Sequence, residues 1–466
     1  MNKINTSWLT QKTGDPFADI GGTVIKTLFQ QNGNEEIFKL IEKTSKTYVN
    51  DWNAKLNAFF LNSKITQPAF KGEKKITETL KFYRQLINDE LPFKEGYCRI
   101  LGEKTNLFQS GRDNNILVGS GTFLNFHHAF QPGVMLSKEA LIRLFFVPLG
   151  CVQLTDKVAL LQSNDEEINT FFVEENINEN QRHIAAQIAD GINRWAYKSP
   201  SSALFDFAQH WIINVKDYAI EENVELNLYH FTNFGASPEI VLYNFSASLF
   251  NFYARVQHRT LQSDWKRFAH SYFRKKNAVY DLDTGTFNLT KKKEAHSVTH
   301  KDFKNWYNSI YESLLSNRSI LKPILIWISK KQRPFNFEIV KYYQIYLRNM
   351  NEKTLQIIER IADYVLQDPN DLKKKIRSLQ IPTKAHAFRR ALIKLEERNL
   401  VLKNPDPLFS LQEYALDLFP DGTYWQEVQN LLLISIYQKM HEQKLWFDGM
   451  EELLADEIEE KAESNS

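Results

Sequence analysis

The pattern of apolar residues changes along this chain, and that change constrains the fold more than any other feature. Two short segments, at about 223–231 and 239–245, alternate apolar and polar residues as β-strands do. After residue 335 the strand patterns disappear, and apolar residues recur at three- and four-residue spacing. The sequence therefore predicts an α+β N-terminal domain with long loops, followed by an α-helical bundle as the C-terminal domain.

The length of the chain predicts several hydrophobic cores. Its 466 residues exceed the usual size of a single core, so we expect about two to three domains. A polar, charged stretch at 287–304 is the best candidate for a linker. Residues 1–290 are accordingly predicted as the α+β domain, 291–334 as a linker with a connecting helix, and 335–466 as the helical bundle.

Several side chains are placed where helix caps are expected. Glycine and proline recur between residues 63 and 135, which predicts loops in that part of the chain. Ser137 then stands where a cap is expected, before a helix that ends ahead of Pro148. Near the N-terminus, Asp15 and Asp19 are predicted to cap the first long helix.

Charge is distributed unevenly, although the formal net charge is only +2. Residues 368–403 hold ten Lys and Arg against four Asp and Glu, whereas residues 441–466 hold two Lys against nine Asp and Glu. A basic tract followed by an acidic end is typical of a nucleic-acid face with a solvating tail. Two solvated helix faces are the alternative interpretation.

The basic tract supplies the side chains that we predict to contact nucleic-acid backbone. Arg390, Lys394 and Arg398 stand at i, i+4 and i+8, which places them on one face of a helix. The full predicted set comprises Lys373, Lys374, Lys375, Arg377, Arg389, Arg390, Lys394 and Arg398.

Recognisable catalytic and metal-binding motifs do not occur in the sequence. It contains no GxxxxGK[ST], no strand-anchored GxGxxG and no GxSxG. The adjacent His127 and His128 would point to opposite faces of an extended segment, which favours packing or hydrogen bonding over one metal ion. Asp165, Glu166 and Glu167 are interpreted as solvated. We therefore expect a protein that is not an enzyme and uses neither a metal nor a cofactor.

The cysteine content and the hydropathy predict the cellular compartment. Cys98 and Cys151 are the two cysteines of the sequence, so no disulfide framework is expected and a reducing cytoplasm is the default. The sequence shows no basic-then-apolar leader, and no apolar run reaches the roughly 18 residues that a bilayer span needs. We expect a soluble cytoplasmic protein with no membrane partner.

Four segments, in the same order along the chain, carry a family resemblance. They are TGDPFADIGG at 13–22, AFFLNS at 58–63, GTFLNFHHAFQPGVMLSKEALIRLFFVPLG at 121–150 and YHFTNFGASPEIVLYNF at 229–245. Together they resemble the zinc-ribbon-type large subunit of the type I-B CRISPR Cascade complex, a prokaryotic RNA-guided antiviral surveillance assembly. The resemblance covers roughly the first 250 residues and continues weakly into the helical end.

The resemblance implies a function and a set of partners. The large subunit of such a complex reads a short flanking motif (the PAM) on double-stranded target DNA and stabilises the opened strands of the R-loop, while guide RNA reads the target sequence. The implied partners are guide RNA, the backbone, small and RNA-processing subunits, and a helicase-nuclease or a transposition adaptor. The C-terminal bundle would resemble the small subunit.

Within this scheme the loop region at 108–132 is the predicted motif reader. Amide and hydroxyl side chains can bond base edges, and an arginine can contact phosphate or a guanine edge. The predicted residues are Arg112, Asn114, Asn115, Ser120, Asn125 and Gln131. Turn formation or capping is the alternative for the asparagines at 114, 115 and 125.

The sequence departs from the family at its zinc ribbon. Three residues after Cys98, where the family usually has a second cysteine, this sequence has Leu101. Residues 136–139 hold no cysteine. A structural zinc site needs four nitrogen or sulfur ligands, so apolar packing is expected to replace the metal. The alternative functions are a stand-alone metal-dependent nuclease of a defence system, which needs a carboxylate cluster, and a helix-turn-helix regulator.

Overall fold

The computed structural model describes residues 4–33, 35–118, 134–214, 223–233, 238–291, 294–329, 333–368, 371–420 and 425–445. It confirms a mixture of helices and strands in which helices occupy the C-terminal half. The chain divides into two compact units. The first comprises residues 1–207 and 224–246, and the second residues 208–223 and 247–466.

The first unit contains six complete helices among its described residues, and two sheets. The helices are α1 (Thr6–Thr10), α2 (Pro16–Gln31), α3 (Ile37–Lys46), α4 (Glu73–Ile87), α5 (Lys138–Phe146) and α6 (Glu166–Ala185), while α7 (Pro200–Asn214) begins here and ends in the second unit. One antiparallel sheet has the order β1 (Phe93–Tyr97), β2 (Lys104–Ser110), β3 (Val134–Ser137). The other has the order β6 (Arg194–Trp195), β4 (Val152–Leu154), β5 (Lys157–Ser163), β7 (Leu226–Thr232), β8 (Glu239–Phe245).

The two predicted strands and the predicted cap at Ser137 are confirmed. β7 and β8 pair antiparallel, from Leu226 opposite Phe245 to Thr232 opposite Glu239. The Ser137 hydroxyl accepts a hydrogen bond from the Ala140 N–H at 3.2 Å, and α5 ends two residues before Pro148. Residues 234–237, which connect the two strands, lie outside the described residues.

A buried arginine on α5 holds the N-terminal segment of the first unit. The side chain of Arg143 is fully buried and pairs with Asp19 at 2.9 Å. Its Nε donates to the Ala18 carbonyl at 2.7 Å, and its Nη1 donates to the Gln11 and Trp8 carbonyls at 2.8 and 3.3 Å. Burial lowers the pKa of Arg143, while the nearby Asp19 opposes that shift. The guanidinium therefore has carboxylate and carbonyl partners in place of water.

Of the two aspartates predicted as helix caps, Asp15 caps α2 and Asp19 does not. Asp15 accepts from the Ala18 N–H at 2.8 Å, and Pro16 occupies the first helical position. Asp19 instead accepts from the Thr13 N–H and hydroxyl and from the Gly14 N–H, at 2.7 to 2.9 Å. The prediction for Asp19 is wrong because this residue lies within α2, beyond the N-cap position. Its carboxylate faces the turn that precedes the helix and the Arg143 side chain.

The packing of α2 against α5 requires glycine at two positions. A Cβ atom on Gly21 would lie 2.1 Å from the Arg143 carbonyl oxygen, and one on Gly22 would lie 2.9 Å from the Arg143 Nη2. Both distances are shorter than non-bonded atoms tolerate. The pair of glycines therefore sets how closely the two helices approach.

The segments that carry the family resemblance meet in the core of the first unit. Phe231 contacts Phe17 and Phe59, with ring centroids 5.1 and 5.8 Å apart. Asn233 donates from its backbone N–H to the Ala58 carbonyl and from its side chain to the Phe59 carbonyl, both at 2.9 Å. With the Arg143–Asp19 pair, these contacts join parts of all four segments into one packed core.

The second unit consists mainly of helices. They are α8 (Ala247–Val256), α9 (Gln262–His270), α10 (His300–Phe303), α11 (Ser309–Leu315), α12 (Leu321–Ser329), α13 (Phe337–Tyr342), α14 (Glu352–Leu366), α15 (Leu372–Gln380), α16 (Ala385–Val401) and α17 (Trp425–Gln443). Its strands are β9 (Phe273–Arg274), paired with β13 (Tyr307–Asn308), and the antiparallel sheet β10 (Ala278–Asp281), β11 (Thr286–Lys291), β12 (Glu294–Val298). No helix in the described ranges is long and apolar enough to cross a bilayer.

The stretch at 287–304, the best candidate for a linker, instead forms β11, β12 and α10, whereas α11 and α12 lie in the part of 291–334 where a connecting helix was predicted. Phe287 and Leu289 alternate with polar residues in β11 and are buried, and Phe287 contacts Phe303 and Trp306 at 5.0 and 5.2 Å between ring centroids. The lysines that follow concealed this short alternation. The predicted boundary at residue 290 also differs from the structure, since α8 already packs within the second unit through Phe252.

Helix α17 occupies the centre of the last four helices. Every residue from Leu431 to Tyr437 is buried, which covers all sides of two helical turns. α14, α15 and α16 each contact α17, and α15 also contacts α14 and α16. This arrangement fixes α15 and α16 as neighbours on the outside of a common core.

We predict that Arg143→Met lowers the free energy of unfolding by about 3–5 kcal/mol, because it leaves the largely buried Asp19 charge without its partner. The measurement is urea unfolding followed by circular dichroism. Arg182→Met is the matched control, since its side chain is 75% exposed and pairs with Glu179 on the surface; we expect a change within about 0.5 kcal/mol. Equal effects of the two substitutions would contradict the role given to Arg143.

Candidate nucleic-acid interface

The buried face of α15 determines which of its lysines are exposed. Leu372, Ile376 and Leu379 are buried at i, i+4 and i+7. The run Lys373-Lys374-Lys375 lies between Leu372 and Ile376 and winds around the helix, so its three side chains differ in exposure. Lys374 is exposed, whereas Lys375 is buried.

Helix α16 presents its basic residues in the same way. Phe388, Leu392 and Leu395 are buried. Arg390, Lys394 and Arg398 are exposed, and they lie on one helix face as their spacing predicted. The face opposite the core is thus basic over more than two turns.

A buried glutamine holds the turn between α15 and α16. The Gln429 side-chain amide on α17 donates to the Leu379 carbonyl at 2.8 Å and to the Pro382 carbonyl at 3.0 Å. These are carbonyls at the end of α15 and in the following turn, which have no partner within a helix. The bonds fix the angle at which α16 leaves α15.

The two helices enclose a groove of about 800 Å³. Its basic lining consists of Lys374 and Lys375 from α15, and Arg390, Lys394 and Arg398 from α16. Ala387 and Ala391, four residues apart on α16, are small and leave the floor open. Five of the eight residues predicted to contact nucleic-acid backbone therefore line one concave surface.

Two acids moderate the positive charge of the groove. Glu397 belongs to the lining itself. Arg398 forms an ion pair with Asp371, which precedes α15, so its guanidinium is already partly neutralised. Lys374, Arg390 and Lys394 carry the charge that is most available to a ligand, because all three are exposed.

Lys375 differs from its prediction, because it is only 5% exposed. Its ammonium lies 3.4 Å from the Tyr364 carbonyl oxygen and 4.8 Å from the centre of the Tyr364 ring. Burial lowers the pKa of this lysine. Lys375 therefore forms part of the groove wall, where its charge is held by the protein, and we no longer assign it a direct phosphate contact.

Three further predicted residues do not line the groove. The guanidinium of Arg389 lies 4.7 Å from the centre of the Phe419 ring, which is a packing contact on another side of α16. Lys373 and Arg377 lie on α15 and each has an interaction within the protein. In contrast, Ser378 lines the groove and was not predicted. Its spacing of four residues from Lys374 was the signal that could have found it.

In the predicted motif reader, the two asparagines at 114 and 115 form hydrogen bonds within the protein. The Asn114 side chain accepts from the Gly111 N–H at 2.9 Å and donates to the Gln109 carbonyl at 3.2 Å. The Asn115 side chain donates to the Ser110 hydroxyl at 2.8 Å and accepts from the Ile116 N–H at 2.7 Å.

Both asparagines are buried, and their amides are engaged within the turn. They form the turn, and we remove Asn114 and Asn115 from the predicted readers.

Arg112 is the one predicted reader whose side chain remains available within the described part of the loop. It is partly exposed, and its carbonyl accepts from the Leu61 N–H at 2.7 Å, which anchors the backbone. Among the described residues, no hydrogen-bond or ion-pair partner is seen for its guanidinium. Ser120, Asn125 and Gln131 lie outside the described residues, as do His127 and His128.

The two places at which the family carries zinc cysteines come together in the structure. Cys98 is buried, and its sulfur accepts a hydrogen bond from the Ser137 N–H at 3.4 Å. Leu136 and Phe108 are buried and stand opposite each other on β3 and β2. In the part of the chain that the structure describes, no three His, Cys, Asp or Glu side chains are arranged to hold a metal ion.

Asp165, expected to be solvated, caps α6 by accepting from the Glu167 N–H at 2.8 Å.

Comparison with known proteins gives no assignment: a scan against protein-family models finds no match, and a search of the curated proteins finds no significant match.

We predict that Asn114→Ala lowers stability without changing nucleic-acid affinity, and that Arg112→Ala lowers affinity without changing stability. The first should lower the free energy of unfolding by about 1–3 kcal/mol, because it removes the acceptor of the buried Gly111 N–H. It should not change nucleic-acid affinity at a temperature where the protein is folded. Arg112→Ala should leave stability within about 0.5 kcal/mol and weaken binding to duplex DNA. Urea unfolding and fluorescence anisotropy measure the two effects, and loss of affinity without loss of stability in Asn114→Ala would restore it as a reader.

Proposed function

We propose that this protein is a non-catalytic nucleic-acid-binding subunit of an RNA-guided CRISPR surveillance complex. The groove between α15 and α16 would hold the phosphate backbone of strands opened at the target. The observation that carries the proposal is the convergence of Lys374, Arg390 and Lys394, all exposed, on one groove with a floor of small residues. Lysine and arginine bind phosphates without sequence preference, as strand stabilisation requires.

The groove supports backbone binding better than base reading. Its polar side chains are mainly ammonium and guanidinium groups, together with the Glu397 carboxylate and one hydroxyl, that of Ser378. Neither lining helix supplies an aromatic ring to the groove on which a base could stack. Sequence discrimination must then come from another source, which in an RNA-guided complex is pairing with the guide.

The last four helices also have a proposed counterpart in the larger assembly. We propose that α14 to α17 form a helical bundle similar to the small subunit of such complexes. The central position of α17 and the basic outer face of α15 and α16 support this. We propose further that flanking-motif recognition involves Arg112, with Ser120, Asn125 and Gln131 remaining predictions.

The groove is tested by charge reversal. Arg390→Glu combined with Lys394→Glu should weaken binding to single-stranded DNA at least about tenfold at low salt, equally for unrelated sequences. The slope of log affinity against log salt should fall by about 1.4, which corresponds to two lost phosphate contacts. Arg398 is left unchanged, because its reversal would also break the pair with Asp371.

Lys276→Glu combined with Lys301→Glu is the matched control, with the same change of net charge. Both lysines are exposed in the second unit and neither lines the groove. The control should keep the affinity and salt slope of the unmodified protein. Equal losses in the two double variants would show that net charge alone matters and that the groove is not the binding surface.

Membership of an RNA-guided complex needs a separate measurement. We predict that the protein, tagged and purified with the products of its neighbouring genes, carries small RNAs of uniform length with a shared end. The double variant at 390 and 394 should still assemble, because its changes are confined to the groove. Recovery of nucleic acid of random length and sequence would contradict RNA guidance while leaving the groove result intact.

A further inference from the structure

We propose that the acidic C-terminal segment, residues 446–466, binds in the groove between α15 and α16 and competes there with nucleic acid. The inference rests on the proposed function and adds a regulation of the same site. The occupant is a part of this chain that lies outside the described residues, and only its sequence enters the argument.

Charge complementarity is the first reason. Residues 446–466 contain eight Asp and Glu and one lysine, and five of the acids fall between Glu452 and Glu460. Between Glu452 and Glu460 about every second residue is an acid, which concentrates negative charge along this part of the segment. The exposed ammonium and guanidinium groups of Lys374, Arg390 and Lys394 are suited to carboxylates as well as to phosphates.

The apolar residues beside the groove are the second reason. Val401 lines the groove and is 79% exposed, and its neighbours Leu400 and Leu402 are each 64% exposed. A phosphate backbone offers these side chains no partner. The acidic segment does, because it interleaves its acids with Leu453, Leu454 and Ile458. An amphipathic acidic segment therefore matches both the charge and the apolar rim.

The position at which the described chain ends is the third reason. Near the end of α17 the Tyr437 hydroxyl lies 3.3 Å from the Gln380 side-chain oxygen, at the end of α15 and two residues beyond the groove-lining Ser378. The segment thus starts from a helix that already contacts α15. Its 21 residues can span up to about 70 Å when extended, whereas the 17 residues of α16 measure about 26 Å. The segment is therefore long enough to extend along the whole groove.

The first experiment neutralises the segment without shortening it. Glu452→Gln, Asp456→Asn, Glu457→Gln and Glu460→Gln are combined in the full chain. Binding of a fluorescent single-stranded DNA should strengthen about tenfold at low salt, and the gain should vanish at high salt as both competing interactions are screened. Combining these changes with Arg390→Glu and Lys394→Glu should abolish the gain.

A second charge-matched variant separates docking from general repulsion. It carries the same number of neutralised acids at exposed positions of the chain: Glu73→Gln, Glu95→Gln, Glu103→Gln and Glu352→Gln. This control should change the affinity less than twofold. An equal gain in both variants, or no gain with the neutralised segment, would overturn the proposal.

The second experiment detects docking without nucleic acid. Cys98 and Cys151 are buried, so spin labels can be directed to Ile381→Cys, next to α15, and Ala455→Cys in the segment. Pulsed electron paramagnetic resonance should find a short, narrow distribution of distances between the two labels. The distribution should broaden in Arg390→Glu/Lys394→Glu and stay unchanged on dilution with unlabelled protein. A broad distribution that charge reversal does not alter would overturn the proposal.

The two experiments also separate this inference from the proposed function. Absence of nucleic-acid binding in every variant, with the short distance still present, would reject the proposed function and support docking of the segment. Binding that depends on the groove, with a broad distance and no gain on neutralisation, would support the function and reject the segment as its competitor.

Discussion

The first unit depends on one buried ion pair, between Arg143 on α5 and Asp19 on α2. The guanidinium binds the carboxylate and the carbonyls of Trp8, Gln11 and Ala18, so α1, the turn before α2 and α2 itself are all held by one side chain. Leaving such a charge without partners costs several kcal/mol. The N-terminal segment is therefore part of the interior that surrounds α5, all nine residues of which are buried.

This constraint changes the meaning of the family resemblance. The four resembling segments supply Asp19, Arg143, Phe231 and the Ala58–Phe59 backbone, which contact one another in the core of the first unit. Amide and hydroxyl side chains at 108–132 suggested a motif-reading loop, but Asn114 and Asn115 serve turn formation. The four segments therefore serve the core of this unit, and the case for nucleic-acid binding depends on α15 and α16.

The sequence predicted features whose cause is local. The caps at Asp15 and Ser137, the pair β7 and β8, and the basic face of α16 follow from spacing over a few residues, and each is present. Features that depend on distant partners were missed. Lys375 is buried because Tyr364 on another helix receives it, Asp19 faces Arg143 across 124 residues, and β11 is a strand because Phe303 and Trp306 cover Phe287. Periodicity shows which face of a helix is apolar, and it does not show which charged side chain a neighbouring element will cover.

The size of the groove bears on how it can act in an assembly. If the groove binds nucleic acid as proposed, its three exposed basic side chains would give a salt dependence of about two to three phosphate contacts, and binding would be weak and independent of sequence. A surface of that strength would not select a target, but in the proposed complex it would favour strands that guide pairing has already opened. It also falls within the range in which an acidic segment tethered to the same unit competes effectively, because tethering corresponds to millimolar concentration. Modest affinity is therefore consistent both with strand stabilisation and with control by the chain's own acidic end.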